Sequence, residues 1–183
     1  MSKLRPTLWR TCRVLANTTR LRLLWILFQT EGLCVADLAG LTGISEPNAS
    51  NQLRALNARG LIAPRRKSLR VFYRPEANTE VEHAPTLLNA LRDCCENRMP
   101  LSAVIRQATA FTHARRIAIA RALAEGPASF GALHEKTGIP PSCLPHHLRK
   151  LEARGFIRRG YGVYHQNSPG NPFGRVLKKV ACS

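Results

Sequence analysis

The sequence predicts a mainly α-helical chain with small β-hairpins, in which one unit of structure occurs twice in tandem. Three observations predict it. Sliding the chain by 95 residues superimposes Leu38, Thr42, Gly43, Ile44, Leu53, Arg54, Leu56, Ala58, Arg59, Gly60 and Ile62 on Leu133, Thr137, Gly138, Ile139, Leu148, Arg149, Leu151, Ala153, Arg154, Gly155 and Ile157. A period of this length is a whole small domain rather than a solenoid unit, and two such domains fit a chain of 183 residues. Within each copy apolar residues recur at helical spacing, and each copy closes on short runs of strand formers. The expected division is a first domain over residues 1–76, a helical connector over 77–110 and a second domain over 111–183.

Taken in order, Thr7–Ala16 reads as a short amphipathic helix with Leu8, Trp9, Cys12 and Leu15 on its apolar side. Asn17 or Thr18 then caps a second helix, Arg20–Gln29, apolar nearly all round as a central core helix is. Val35–Leu41 makes a short third helix and Thr42-Gly43-Ile44 a tight turn. In the fourth helix Ala49, Leu53 and Leu56 share one face, and Pro47, Asn48, Asn51 and Arg54 lie opposite. Ser45 is placed to cap it, Pro47 suits a first turn, and Gly60 supplies a left-handed stop. This is a helix-turn-helix. Leu61-Ile62 and Val71-Phe72-Tyr73 read as two strands joined by a basic loop carrying Arg65, Arg66, Lys67 and Arg70.

Val81–Asn97 follows as a helix, and Leu101–Thr112 opens the second copy. His113–Leu123 is its core helix, Phe130–Lys136 its third helix, and Ser142–Arg154 its counterpart of the outward-reading helix. Pro145 stands there where the first copy has Ser50, so that helix is expected to start late. The second hairpin, beginning at Phe156, is about four residues shorter by the offset between Tyr73 and Tyr164, and Phe173–Val180 reads as a last helical turn or two.

The formal charge of +17 points to a polyanionic partner. Residues 1–76 hold 13 Lys/Arg against 4 Asp/Glu and residues 111–183 hold 12 against 3, whereas residues 77–110 hold 3 against 4. Charge serving only solubility has no reason to divide in this way. No apolar run reaches membrane-spanning length, no helix pairs a basic face with a broad aromatic one, and no signal peptide is evident, so a cytoplasmic location without membrane contact is expected. Cys12, Cys34, Cys94, Cys95, Cys143 and Cys182 contain no paired C-x-x-C modules and are expected to be reduced. A Gly-rich phosphate loop and a His-Glu-x-x-His pair are both missing and carboxylates are few, so neither catalysis nor a cofactor is expected.

Asn17–Leu24, Gly32–Leu38, the helix over Ser45–Leu56, the exit at Gly60–Ile62 and Val71–Arg74 together resemble an ArsR-type winged helix-turn-helix repressor, over all of residues 7–75. The full expectation is therefore two tandem winged helix-turn-helix domains joined by helices, acting as a sequence-specific transcriptional regulator on double-stranded DNA. In the family that is resembled, the helix after the wing pairs with the first helix to make a dimer. That implies either a homodimer or a monomer with a pseudo-two-fold arrangement.

Amides suit adenine edges and guanidinium suits guanine, so Asn48, Asn51 and Arg54, with Ser45 and Ser50 beside them, are the candidate base readers. Arg65, Arg66, Lys67 and Arg70 in the first copy, and Ser142, His146, Arg149, Lys150, Arg158 and Arg159 in the second, are the remaining candidate DNA contacts, mostly to phosphate. Many members of that family carry two metal-binding cysteines in the motif resembling Leu33–Leu38, but here Cys34 stands with Ala36 in the second place. The zinc-responsive set aligns with Val81, His83, Cys94 and Asn97, which leaves two of four ligand types, and no metal site is expected. Adjacent cysteines serve some relatives as an arsenite or oxidant sensor, but the preferred reading of Cys34, Cys94 and Cys95 is as small buried apolar residues. The other readings are a tandem winged-helix RNA-binding protein, for which Tyr161 is the single stacking platform, and a protein-interaction adaptor.

Overall fold

The computed structural model describes residues 7–183, so the first six residues of the expected first domain lie outside it. The first repeat runs α1 (Leu8–Leu15), α2 (Thr18–Phe28), β1 (Leu33–Cys34), α3 (Val35–Thr42), α4 (Glu46–Asn57), β2 (Ala63–Lys67), β3 (Arg70–Arg74) and α5 (Ala84–Glu96). The second runs α6 (Leu101–Ala108), which continues into a 3-10 turn over Thr109–Phe111, then α7 (Ala114–Ala124), β4 (Ala128–Ser129), α8 (Phe130–Thr137), α9 (Leu144–Ala153), β5 (Ile157–Gly160), β6 (Val163–Gln166) and α10 (Pro172–Cys182). Each repeat holds one antiparallel sheet with the same strand order, β1-β3-β2 and β4-β6-β5.

Local chemistry sets the element ends in parallel. The Asn17 side chain caps α2 by accepting the Arg20 N–H at 3.0 Å, and the His113 ring caps α7 by accepting the Arg115 N–H at 3.1 Å. After α4 the Leu61 N–H reaches back to the Leu56 carbonyl and the Gly60 N–H to that of Asn57, the Schellman arrangement, with Gly60 at φ 68°. Gly155 repeats it after α9 at φ 79°. α9 begins at Leu144 with Pro145 in its first turn, as its sequence requires. Ser45 differs from expectation: it stands at the start of α4 with extended backbone, but its side chain makes no bond to the helix, whose start rests on that extended conformation and on Pro47.

The wing is also built differently from its sequence reading. Arg65, Arg66, Lys67 and Arg70 lie on paired strands, and the turn itself is only Ser68-Leu69, with Ser68 at φ 54°. Poor strand formers are tolerated because β2 is an edge strand, which also admits Pro64, and because little of it needs burial. β1 and β4 were not expected at all. They are two-residue strands whose partners, Tyr73 and Tyr164, lie far along the chain.

One apolar core runs through both repeats. α1 packs on α6 and its 3-10 extension, α2 touches α5 and α6, and α10 packs on α5, α6 and α7. The helix after the first wing therefore meets the helix after the second. α10 is a full helix of 11 residues rather than a turn or two, because Asn171 caps it and Phe173, Leu177 and Ala181 find cover that is remote in sequence. Since Leu177 is fully buried on this shared face, Leu177→Ala is expected to cost about 2–5 kcal/mol through lost burial and a residual cavity. Chemical denaturation should then shift as a single transition, and separate unfolding of the two repeats would show that the face is not shared.

Candidate nucleic-acid interface

In α4 the alternation of buried and exposed positions leaves Ala49, Leu53 and Leu56 inside, with Asn48, Asn51 and Arg54 exposed. Ser45 is exposed at its start and Ser50 half-buried. The exposed groups are not equally free. The Gln52 amide donates to Asn48 Oδ1 at 2.8 Å, and Gln52 Oε1 accepts from an Arg20 guanidinium nitrogen at 2.8 Å. Arg20 is itself fixed, its Nε donating to the Val14 carbonyl at 2.6 Å. Asn48 thus has its carbonyl engaged, while the Asn51 side chain makes no hydrogen bond among the described residues. The sequence reading missed Gln52 and Arg20; the four-residue spacing of Asn48 and Gln52 was the available signal.

On the wing, strand register decides which charges act together. Arg65 pairs with Phe72 and Lys67 with Arg70, so these share one face, and Arg66, opposite Val71, lies on the other. Lys67 directly faces Arg70, a like-charge pair that weakens the hairpin unless an anion lies across it. Arg65, a candidate phosphate contact, also has a partner within the wing region. Its guanidinium holds both oxygens of Glu76, one of them at 3.3 Å, and keeps that carboxyl below the usual carboxylate range.

In α9 Leu144, His147, Leu148 and Leu151 are buried, His146 and Arg149 are exposed, and Lys150 is half-buried. Ser142 is exposed just ahead of it. On the second wing Arg158 pairs with His165 and Arg159 with Tyr164, so the two arginines lie on opposite faces. The Arg159 guanidinium sits 5.8 Å from the centre of the Tyr164 ring. Tyr161 is fully exposed at the turn with φ 51°, beside Gly162 at φ 79°.

The position of Gln52 is taken in the second repeat by His147, and that of Arg20 by Arg116, which donates through Nε to the Ala110 carbonyl. The bond between them is lost. His147 Nδ1 is buried without a partner, and its ring lies 4.8 Å from His113 and 5.7 Å from His146. Burial, followed by His113 and Arg116, lowers its pKa from 6.5 to about 4.

Cys12, Cys34, Cys94 and Cys95 are buried, and Cys143 and Cys182 are half-buried. Burial pushes the Cys12 thiol up to about 12 and Cys94 to about 11, which keeps both as protonated thiols at neutral pH. His83 and Cys94 stand at opposite ends of α5, about 16 Å apart at the helical rise per residue. The His83 ring instead bonds Thr11 Oγ1 at 2.8 Å. No group of three His, Cys, Asp or Glu side chains is placed to hold a metal ion among the described residues.

The helix-turn-helix with a following hairpin, present twice, defines a winged helix-turn-helix protein. The family model for the bacterial regulatory proteins of the arsR family matches residues 17–63 and again residues 113–159, just over half of the chain. The chain belongs to the ArsR family. It is 44% identical over 59 residues to a transcriptional repressor SmtB homolog from Synechocystis sp., a match covering 32% of this chain and 44% of that protein. It thus spans less than half the length of that curated relative. It is also similar to a solution structure from Mycobacterium bovis, the homodimeric winged helix-turn-helix DNA-binding domain of a possible ArsR-family regulator. There the identity is 34%, with 46% of this chain and 77% of that one covered, at a TM-score of 0.37.

Because the folded pKa of His147 lies below that of the unfolded chain, the unfolded state binds the extra proton between the two values. The stabilisation from neutral His147 is present above about pH 6.5 and is lost as pH falls towards 4. Over that range the protein is expected to lose about 1–2 kcal/mol through this group. His147→Gln, which restores the residue of the first repeat, should flatten the loss in denaturant midpoints measured at pH 7 and pH 4.5. An unchanged slope would remove His147 from the account.

Proposed function

We propose that this ArsR-family chain is a sequence-specific, double-stranded DNA-binding transcriptional regulator that uses both of its winged helices. The observation that carries the proposal is the pair of exposed helix faces, α4 and α9, each flanked by a basic wing and held on one continuous core. The contact of α1 with α6 and of α5 with α10 supports a monomer that supplies its own pseudo-two-fold arrangement, with winged units over residues 1–76 and 111–183 and with α5 and α6 in the connecting segment 77–110. No helix is long and apolar enough to cross a membrane among the described residues, and a cytoplasmic site of action follows from the DNA partner.

The two halves do different work in this reading. Asn51 and Arg54, beside the oriented Asn48, read base edges, with Ser45 and Ser50 alongside; Arg66, Lys67 and Arg70 grip phosphate while Arg65 orders the wing through Glu76. In the second repeat Ser142, His146, Arg149, Lys150 and Arg158 hold the duplex, and Arg159 contributes less because it lies over Tyr164. Exposed Tyr161 favours RNA as the second reading, but a lone aromatic gives less stacking than single-strand recognition ordinarily uses.

Selection from random duplexes is expected to return two dissimilar half-sites about one helical turn apart, and footprinting should protect both. Asn51→Ala should relax preference at one base pair at a cost of about 1–3 kcal/mol with little change in salt dependence. Arg158→Ala should weaken all duplexes alike and lower the salt slope by about one, since each neutralised phosphate releases roughly one counterion. Protection of one isolated half-site, or a motif rewritten by His146→Ala and untouched by Asn51→Ala, would reverse the assignment.

A further inference from the structure

A cavity of about 730 Å³ opens between the repeats, on the side where α1 and the start of α5 face α7 and the end of α10. Leu8 and Trp9 form its wall on the first repeat, and Ile117, Ala118 and Val180 form it on the second. The Trp9 ring is held in place by two guanidinium groups, Arg10 at 4.9 Å and Arg13 at 5.5 Å from its centre, so this wall is preformed. Volume and lining fall within the range of small-molecule sites, which combine mostly apolar walls with a few converging polar groups.

The polar groups favour an anion. Two basic side chains, Arg121 and Lys179, line the cavity against one acidic side chain, Glu82, all three exposed, with Ser183 beside them. Arg121 is oriented by its Nε, which donates to the Ala181 carbonyl at 2.9 Å. Its terminal nitrogens and the Lys179 ammonium form no ion pair among the described residues. A guanidinium fixed at one nitrogen and open at the other two is suited to a planar carboxylate. The apolar share of the wall calls for a hydrocarbon or aromatic body behind that group.

We propose that this inter-repeat cavity binds a small monocarboxylate with an apolar body, and that its occupant alters DNA affinity by setting the angle between the repeats. α7 packs on both α8 and α9, so an occupant wedged between α1 and α7 acts on the position of the second reader helix relative to the first. A ligand that binds one such arrangement more tightly shifts DNA affinity by the same factor as DNA shifts its own. The coupling rests on the DNA-binding reading above, whereas the binding itself does not.

The test uses the full chain with Trp25→Phe, which leaves Trp9 as the reporter of the cavity because the chain has two tryptophans. Benzoate, phenylacetate, indole-3-acetate and octanoate are titrated beside their primary amides, by Trp9 fluorescence and by calorimetry. At least one carboxylate is expected to saturate below about 1 mM, with its amide and the Arg121→Gln variant each about tenfold weaker or worse. Ala118→Phe, which fills the cavity, should abolish binding while leaving the thermal midpoint near that of the parent. If Ala118→Phe does not fold, Arg121→Gln and the amides decide the question alone. Failure of all four acids to saturate, amides binding as well as acids, or binding that survives Ala118→Phe would overturn the site. At saturation, duplex affinity should change at least about threefold. An unchanged duplex affinity removes the coupling, while failure to bind any duplex without the acid counts against the proposed function instead.

Discussion

The helices that follow the two wings each turn an apolar face into the common core, α5 towards α10 and α2, and α10 towards α5, α6 and α7. On α5 the face is Leu87, Leu88 and Leu91, and on α10 it is Phe173 and Leu177, all essentially inaccessible. Each such side chain contributes on the order of 1.5–3 kcal/mol when fully buried, so a few of them outweigh the modest stability expected of a small domain. The exposed faces of α4 and α9 inherit this constraint. Where α4 and α9 stand relative to one another is decided by how α5 and α10, and α1 and α6, settle together behind them.

Duplication gives an internal control on what each position does. Arg20 and Arg116 perform the same structural task, each closing the end of the preceding helix by donating to a backbone carbonyl. The remaining nitrogens then diverge. Arg20 passes order outward through Gln52 to Asn48, a line of bonds from core to reader face. In the second repeat the residues at the corresponding places are His147 and Cys143, and Arg116 turns instead to Thr112 and Thr109. Order therefore reaches the reading surface in one repeat and stops behind it in the other, which gives a physical basis for unequal roles without any appeal to contacts with DNA.

How far the sequence was legible follows the range of the interactions concerned. Helices α1 to α9 were readable because periodicity, Asn17, Gly60 and Pro145 all act within a few residues. β1 was not, since Leu33 finds Tyr73 only after the helix-turn-helix has folded, and the length of α10 was not, since its cover is α5. The same rule holds at the site. Exposure of Asn51 and Arg54 follows from local helical phase, but the engagement of Arg65 by Glu76 depends on hairpin register, and that of Asn48 depends on Arg20 from another helix. The pairing of the two post-wing helices within one chain was suggested by the resemblance to a dimeric family, not by any pattern in residues 77–110 themselves.

Departures from local preference occur on both wings and behind α9, and also away from them, at Arg98 with φ 52° between α5 and α6 and at the buried Gln107 Oε1 of α6. Lys67 is set opposite Arg70 on the first wing, and Tyr161 holds φ 51° at the tip of the second, an arrangement that costs an aromatic residue on the order of 1 kcal/mol. His147 buries a nitrogen without a partner behind α9. The His147 ring sits beside core residues of its own helix, Leu144, Leu148 and Leu151, whereas Lys67, Arg70 and Tyr161 are exposed. A polyanion laid across the wings would turn the Lys67 and Arg70 repulsion into attraction, since both charges would then face a phosphate rather than each other.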